Sequence, residues 1–191
     1  MQSAQPSARQ VVRPLSPAFV VVATAQGPAA LRAHWGLVPP GVKADARRAT
    51  AIQLTGLPSK RLTQAPTDAL WSSTARSWRC LVAATGWLAE VQGQPTACKP
   101  PTPRVALAGL FSRFENAQGQ VVRTFGLVTA WRENDERFGH HGPLVIADRD
   151  APIWLGGDAE RARSLLACRQ PPVVEKLLRQ RHFRAPNSAL R

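Results

Sequence analysis

Short apolar runs, interrupted by proline and glycine, most constrain the fold of this 191-residue chain. AFVVVATA is β-branched and apolar, which indicates a buried strand, and RCLVAATGWLAEV and RVALAGLFSRF are apolar enough for central strands. ALRAHWGLVPPGV predicts a strand that ends at Pro39 and Pro40. GQPTACKPPTPR predicts a proline-broken edge strand or a loop, and FENAQGQVVRTFGLVTA a hairpin that turns at Gln118 and Gly119. These segments together predict a mostly antiparallel β core.

The sequence predicts only short helices, which we expect to lie around the β core. PTDALWSSTARSW has apolar residues at roughly helical spacing behind a proline, and Asp158 is placed to cap a helix over residues 159–167. The C-terminal VVEKLLRQRHFRAPNSALR predicts a short basic helix. The fold class is therefore α+β, with short helices around the β core.

The chain length and composition favour one domain. Apolar residues make up 44% of the chain and charged residues 19%, so enough surface can be buried to offset the entropy of ordering. We expect a disordered N-terminal segment over residues 1–10, a domain over residues 11–168 and a basic tail over residues 169–191.

The charge is strongly basic and is carried mainly by arginine. The chain has 25 Lys+Arg against 12 Asp+Glu, a formal net charge of +13. The planar arginine fork matches the oxygens of phosphate. The charge therefore favours a polyanionic partner: nucleic acid first, then an acidic membrane surface or an acidic protein.

Cysteine usage and the N-terminus suggest a cytoplasmic protein without a metal or cofactor. The three cysteines, Cys80, Cys98 and Cys168, are far apart and form no CxxC pair, so neither a disulfide framework nor a cysteine-built zinc site is indicated. MQSAQPSARQ lacks the apolar stretch of a signal peptide, and no later run approaches the ~18 apolar residues of a membrane span.

Four segments, in order, resemble the SOS-response-associated peptidase (SRAP) family, whose members shield and process abasic sites in single-stranded DNA. RAHWGLVPP resembles the family's Trp-Gly-Leu-Ile-Pro strand, and SWRCLVAATGWLAEV its Arg-Arg-Cys-Leu-Val-Pro-Ala-Asp-Gly-Phe-Tyr-Glu-Trp segment. VALAGLFSRF is similar to its Ala-Gly-Leu-Trp strand, and TFGLVTAWRENDERFGHHGPLVI to its segment ending His-Asp-Arg-Met-Pro-Val-Ile-Leu. The resemblance implies a barrel-like SRAP domain.

The reaction that the resemblance implies starts from a cysteine after the initiator methionine, and this chain has Gln2 there. Spacing also places Thr50 at the family's asparagine and Ile52 at its DNA-contacting arginine. A rival alignment through TARSW restores that arginine as Arg76 but leaves too little chain before RCLV.

The family's general-acid glutamate comes three residues after a glycine, and in GWLAE that position is Ala89. Glu90 is one residue late. A one-residue slip turns a side chain to the opposite face of a strand, so Glu90 can replace the acid only if a β-bulge resets the register. The plainer interpretation of Glu90 is a solvent-facing glutamate.

The histidine pair in RFGHHGPLVI is also displaced. Counting fourteen residues back from Pro143 to Thr129 matches the family's spacing and places Gly139 at its histidine. His140 re-enters a catalytic role only if Gly139 relaxes the backbone; otherwise His140 and His141 are surface or DNA-facing imidazoles. A zinc site is disfavoured because adjacent histidines in an extended strand point apart.

These departures predict a catalytically inactive SRAP-fold protein that binds single-stranded or damaged DNA. The alternatives are an active peptidase or abasic-site crosslinking enzyme that uses Glu90 and His140, and a scaffold for an acidic protein partner. Trp35 is expected in the core, whereas Trp87 is a candidate ring for base stacking. The residues expected to contact DNA are Trp87, Arg76, Arg79, His140, His141, Lys176, Arg179 and Arg181.

Overall fold

The computed structural model describes residues 11–39, 56–58, 78–91, 94–100, 102–116, 118–131, 141–167 and 174–175. The described strands are β1 (Pro17–Thr24), β2 (Gly27–Trp35), β3 (Gly56–Pro58), β4 (Arg79–Ala84), β5 (Trp87–Val91), β6 (Gln94–Lys99), β7 (Val105–Glu115), β8 (Val121–Trp131), β9 (His141–Pro143), β10 (Val145–Ile146) and β11 (Val174–Glu175). The described helices are α1 (Ala151–Gly156) and α2 (Ala159–Ser164), with single 3-10 turns at Asp148–Asp150 and Leu165–Ala167.

Five strands close into a barrel in the order β1, β2, β8, β7 and β4. The hairpins β1–β2 and β7–β8 are antiparallel, and β4 pairs antiparallel with both β1 and β7. The parallel contact of β2 with β8, through His34–Thr124 and Trp35–Phe125, closes the ring. The outcome is a mostly antiparallel barrel, in agreement with the predicted fold class.

The remaining strands extend the barrel and form a second sheet. The sheet grows beyond the ring through β3 and β9, which pair with the C-terminal half of β8, and through β10, which pairs with β7. A separate three-stranded sheet has the order β11-β6-β5. This small sheet carries the segment in which the sequence places the general-acid position.

Alternation along the strands builds two cores from the same sheet. Val20, Cys80, Phe111 and Phe125 belong to one buried cluster inside the barrel. Their strand neighbours, such as Leu81 and Leu110, pack with Trp154 in a second cluster, which also includes α2 and the turn that follows it. Because successive side chains of a strand face opposite sides, β4 and β7 contribute to both cores.

Most strand predictions are confirmed, and the exceptions concern the small sheet. The predicted strands correspond to β1, β2, β4, β5 and β7, the hairpin turns at Asn116–Gln120 with Gly119 at φ 74°, and Asp158 caps α2 as expected. The prediction of an edge strand or loop for GQPTACKPPTPR is wrong, because β6 is the central strand of the small sheet, between β5 and β11.

Within the basic tail, Val174–Glu175 forms a strand that pairs with Lys99 and Cys98, whereas a helix was predicted there. The rest of the tail prediction lies outside the described residues, as does almost all of the helix predicted over PTDALWSSTARSW. Within the described residues, no helix is long and apolar enough to cross a membrane.

Candidate functional site

The β5–β6 hairpin contains Ala89, the position that the family resemblance assigns to the general acid. β5 follows Gly86, where a Cβ atom would lie 2.5 Å from the carbonyl oxygen of Cys98, so the two backbones approach closely at this point. Trp87 comes next, pairs with Cys98 across the strands and is half-buried. Leu88, which follows, is 52% exposed. The start of β5 therefore presents one half-buried aromatic and one exposed aliphatic side chain next to Ala89.

The register of this hairpin decides where Glu90 falls. Ala89 pairs with Thr96, Glu90 with Pro95 and Val91 with Gln94, and the pairing is one to one from Trp87 to Val91. A β-bulge would set two residues of β5 against one residue of β6. No such arrangement occurs from Trp87 to Val91, where each residue of β5 faces one residue of β6.

The segment with the two histidines forms the edge strand β9. Thr129 pairs with Pro143, Ala130 with Gly142 and Trp131 with His141. The fourteen-residue count from Thr129 to Pro143 thus corresponds to one direct cross-strand pair. His141 occupies the first position of β9, opposite the last residue of β8. Gly139 and His140 precede the described part of this strand.

Several predicted site residues lie outside the described residues, and their roles stay predictions. They are Thr50, Arg76, Gly139, His140, Lys176, Arg179 and Arg181.

Arg79 is not placed to contact DNA, which corrects the sequence prediction. It begins β4 and is only 4% exposed. Its Nε donates a hydrogen bond to the carbonyl oxygen of Trp154, and its guanidinium also donates to that of Gly157. Burial lowers the pKa of the Arg79 guanidinium, and the Asp158 carboxylate opposes that shift. Arg79 therefore holds α1 against the barrel.

The two described cysteines, Cys80 and Cys98, are buried. Cys80 lies inside the barrel, where burial raises the pKa of its thiol far above the usual range and keeps it protonated. Cys98 was expected in a proline-rich loop but lies in β6, 1% exposed, opposite Trp87. Because the thiolate is the nucleophilic form, a buried neutral thiol such as Cys80 is a poor substitute nucleophile.

A basic and aromatic cluster on β7 and β8 was missed by the sequence predictions. Arg113 of β7 pairs directly with Arg123 of β8, and both side chains are exposed. The Arg113 guanidinium carbon lies 5.1 Å from the ring centroid of Trp78, and the Trp78 ring stacks on Phe111 with centroids 5.7 Å apart. The hairpin prediction placed both arginines near the turn but did not define their register.

Metal ligands do not converge in the described part of the chain. No group of three His, Cys, Asp or Glu residues there could hold a metal ion. The absence of a metal or cofactor remains a prediction for the whole protein.

Comparison with solved structures identifies proteins that share this fold. A protein from Bordetella bronchiseptica aligns with a TM-score of 0.70 and 20% identity, over 87% of this chain and 86% of its own. A phage-related protein from the same organism aligns with a TM-score of 0.66 and 20% identity, over 92% of this chain and 86% of its own. A protein from Bacteroides thetaiotaomicron gives 0.68 at 16% identity, over 80% of this chain and 68% of its own. These likenesses show a shared fold.

The family model for SOS response associated peptidase (SRAP) matches residues 1–181, and the chain therefore belongs to the SRAP family. No curated protein gives a significant match. The family match extends beyond residue 168, where we expected the domain to end, and includes β11.

Proposed function

We propose that this protein is a catalytically inactive member of the SRAP family that binds single-stranded or damaged DNA. The observation that carries the proposal is the uninterrupted register of β5, in which Ala89 occupies the position that the family resemblance assigns to the general acid. Alanine has no group that can donate or accept a proton. An enzyme with this chemistry would lose a contribution that is typically worth ~10²–10⁴ in rate.

Three further positions support inactivity, although they lie outside the described residues. Thr50 and Gly139 stand where the family resemblance places an asparagine and a histidine, and His140 is one residue out of place. The described thiols offer no obvious replacement nucleophile because Cys80 and Cys98 are both buried. The proposal includes a cytoplasmic location, with which three widely spaced cysteines that form no CxxC pair are consistent.

DNA binding is supported by charge and by the side chains on β5. The formal net charge of +13 attracts a polyanion, and arginine supplies most of the positive charge. Trp87 is half-buried and lies two residues before Ala89 in β5, and we expect its ring to stack on a base. Stacking of a base on an aromatic side chain is worth ~1–3 kcal/mol and does not depend on sequence.

The test is the salt dependence of binding to single-stranded oligonucleotides. We expect a linear fall of log K with log salt concentration, with a slope of about −0.7 for each phosphate neutralised. Trp87→Ala is expected to weaken binding by roughly tenfold without changing that slope, because stacking releases no counterions. Leu88→Ala, a change at the adjacent exposed residue, is the matched control.

Competition separates this proposal from the scaffold alternative. An oligonucleotide is expected to displace labelled single-stranded DNA at a lower charge concentration than heparin does. A flat salt response, or equal displacement by heparin together with no effect of Trp87→Ala, would contradict DNA binding and favour an acidic protein partner.

A further inference from the structure

The end of the β7–β8 hairpin brings together two positive charges. Arg113 and Arg123 are direct cross-strand partners and both are exposed. The Cβ atoms of such partners lie ~4.5–5.5 Å apart, and like charges directly opposite each other destabilise a sheet. The arrangement therefore has a cost in the free protein that an anion bound between the two guanidinium groups would remove.

Arg113 is positioned by aromatic side chains. Its guanidinium lies over the Trp78 ring, and the Trp78 ring also stacks on Phe111. Phe111 pairs with Phe125, which in turn stacks against Trp35 with ring centroids 6.4 Å apart. Because this aromatic row is anchored in the barrel core, Arg113 loses less conformational freedom on binding than a free surface arginine would.

The described acidic residues do not neutralise this pair. Within the described part of the chain, no ion pair joins a carboxylate to Arg113 or Arg123. The nearest acidic residue along β7 is Glu115, whose carboxylate lies towards Gly119 in the turn. Both guanidinium groups therefore keep donors available for an external acceptor.

We propose that Arg113 and Arg123 form a phosphate-binding pair for the backbone of single-stranded DNA, with Trp78 as the residue that positions Arg113. This inference rests on the proposed function and adds a contact site on the barrel, separate from β5. The planar guanidinium donates two parallel hydrogen bonds to phosphate oxygens. The face of Arg113 turned away from Trp78 is a stacking surface for a base, which favours nucleic acid over a polyanion without bases.

The test compares Arg123→Gln, Arg113→Gln and the double variant with Arg104→Gln. Arg104 is exposed and immediately precedes β7, so it lies roughly 30 Å along the strand from Arg113, and its substitution removes the same charge. We expect the double variant to bind an oligo-dT about tenfold or more weakly than Arg104→Gln does. Its log–log salt slope is expected to shrink by about 0.7 if the pair shares one phosphate, or by about 1.4 if each residue binds its own.

Arg123→Gln keeps the test independent of folding, because Arg123 makes no contact of its own with an aromatic ring in the described residues. Its melting temperature should equal or slightly exceed that of the wild type, since the substitution relieves the like-charge contact. Trp78→Phe with Arg113 intact should lower affinity and leave the slope unchanged, as expected for a positioning residue.

Equal losses in the double variant and in Arg104→Gln would overturn the inference while leaving DNA binding intact. Equal sensitivity of heparin binding to the double substitution would overturn the assignment to nucleic acid. Failure of the wild type to bind any oligonucleotide with salt sensitivity would instead contradict the proposed function itself.

Discussion

Arg79 shows that an arginine in a basic protein can stabilise the fold instead of binding a ligand. The sequence predicts that it contacts DNA, yet its hydrogen bonds go to the carbonyl oxygens of Trp154 and Gly157. A carbonyl at the end of a short helix has no partner within the helix, and Arg79 supplies one. The sequence indicates that Arg79 is charged but not that it is buried, because burial depends on α1, which lies more than seventy residues later.

Replacement of Arg79 by alanine should destabilise the protein strongly. The change leaves a buried carbonyl oxygen, of Trp154, and a partly buried one, of Gly157, without their donor, at a cost of about 3 kcal/mol or more in the free energy of unfolding. Arg79→Lys keeps the charge but loses the fork and should cost part of that amount. Urea unfolding measures both values. Arg104→Ala is the exposed control, expected within about 0.5 kcal/mol of wild type, and a similar value for Arg79→Ala would contradict the buried role.

Because of Cys80, the free energy of unfolding should fall as the pH rises in the alkaline range. Burial raises the pKa of its thiol above the usual value of 9.0, so the unfolded thiol ionises first as the pH rises. The stabilisation is fully present below the unfolded pKa and is lost as the pH rises above it, by up to about 1.4 kcal/mol per pH unit.

The Cys80 prediction is tested by unfolding wild type and Cys80→Ala in reductant between pH 7.5 and 10.5. The variant should be less stable at neutral pH because of its cavity, but its stability should fall less steeply above pH 9. Parallel curves for the two proteins would show that this thiol ionises in the folded state as readily as in the unfolded state.

At the scale of elements, caps and turn residues predict where a helix or strand begins and ends, whereas the pairing partner of a strand depends on segments far away in the sequence. The Asp158 cap and the turn at Gly119 depend on side chains within a few residues, and both could be predicted from sequence. Arg113 faces Arg123 only in one register of the hairpin, and a shift of one residue would separate them. The geometry of the turn sets that register. The proline-rich β6 was misread because its partners, β5 and β11, lie on both sides of it.

Asp158 should stabilise α2 through its cap rather than through its charge alone. Its carboxylate accepts a hydrogen bond from the backbone N–H of Arg161 at 2.8 Å. Asp158→Ala should lower the free energy of unfolding by about 1 kcal/mol, whereas Asp158→Asn keeps a capping oxygen and should cost less. Glu160→Ala, in the exposed first turn of the same helix, is the control. Equal losses for Ala and Asn at residue 158 would show that the charge beside Arg79 matters more than the cap.

At the scale of the whole molecule, closure of the barrel could not be read from local patterns. It requires the parallel contact between β2 and β8, which joins segments separated by about ninety residues along the chain. Apolar periodicity identifies each strand but not its neighbours, so the expectation of a barrel came from the family resemblance. The same resemblance identified Ala89, and only the register of β5 with β6 shows that no bulge moves Glu90 into its place.

The basic tail is predicted to contribute to binding by the whole protein. Ending the chain after Glu175 preserves β11 and removes Lys176, Arg179 and Arg181. Loss of these charges should weaken binding to single-stranded DNA and shrink the log–log salt slope. Fluorescence anisotropy at several salt concentrations measures both effects, with the melting temperature as the control for folding. Unchanged affinity would exclude the tail from the DNA contact.

The most direct test of catalytic inactivity uses single-stranded DNA that carries an abasic site, with the intact oligonucleotide as the control. The protein is incubated with each DNA without reductant, heated in denaturant and analysed on a denaturing gel. With Ala89 at the acid position and Cys80 and Cys98 buried, we expect both DNAs to migrate without a shifted band, while native binding to them persists. A heat-stable shifted band that forms only with the abasic oligonucleotide would contradict the account.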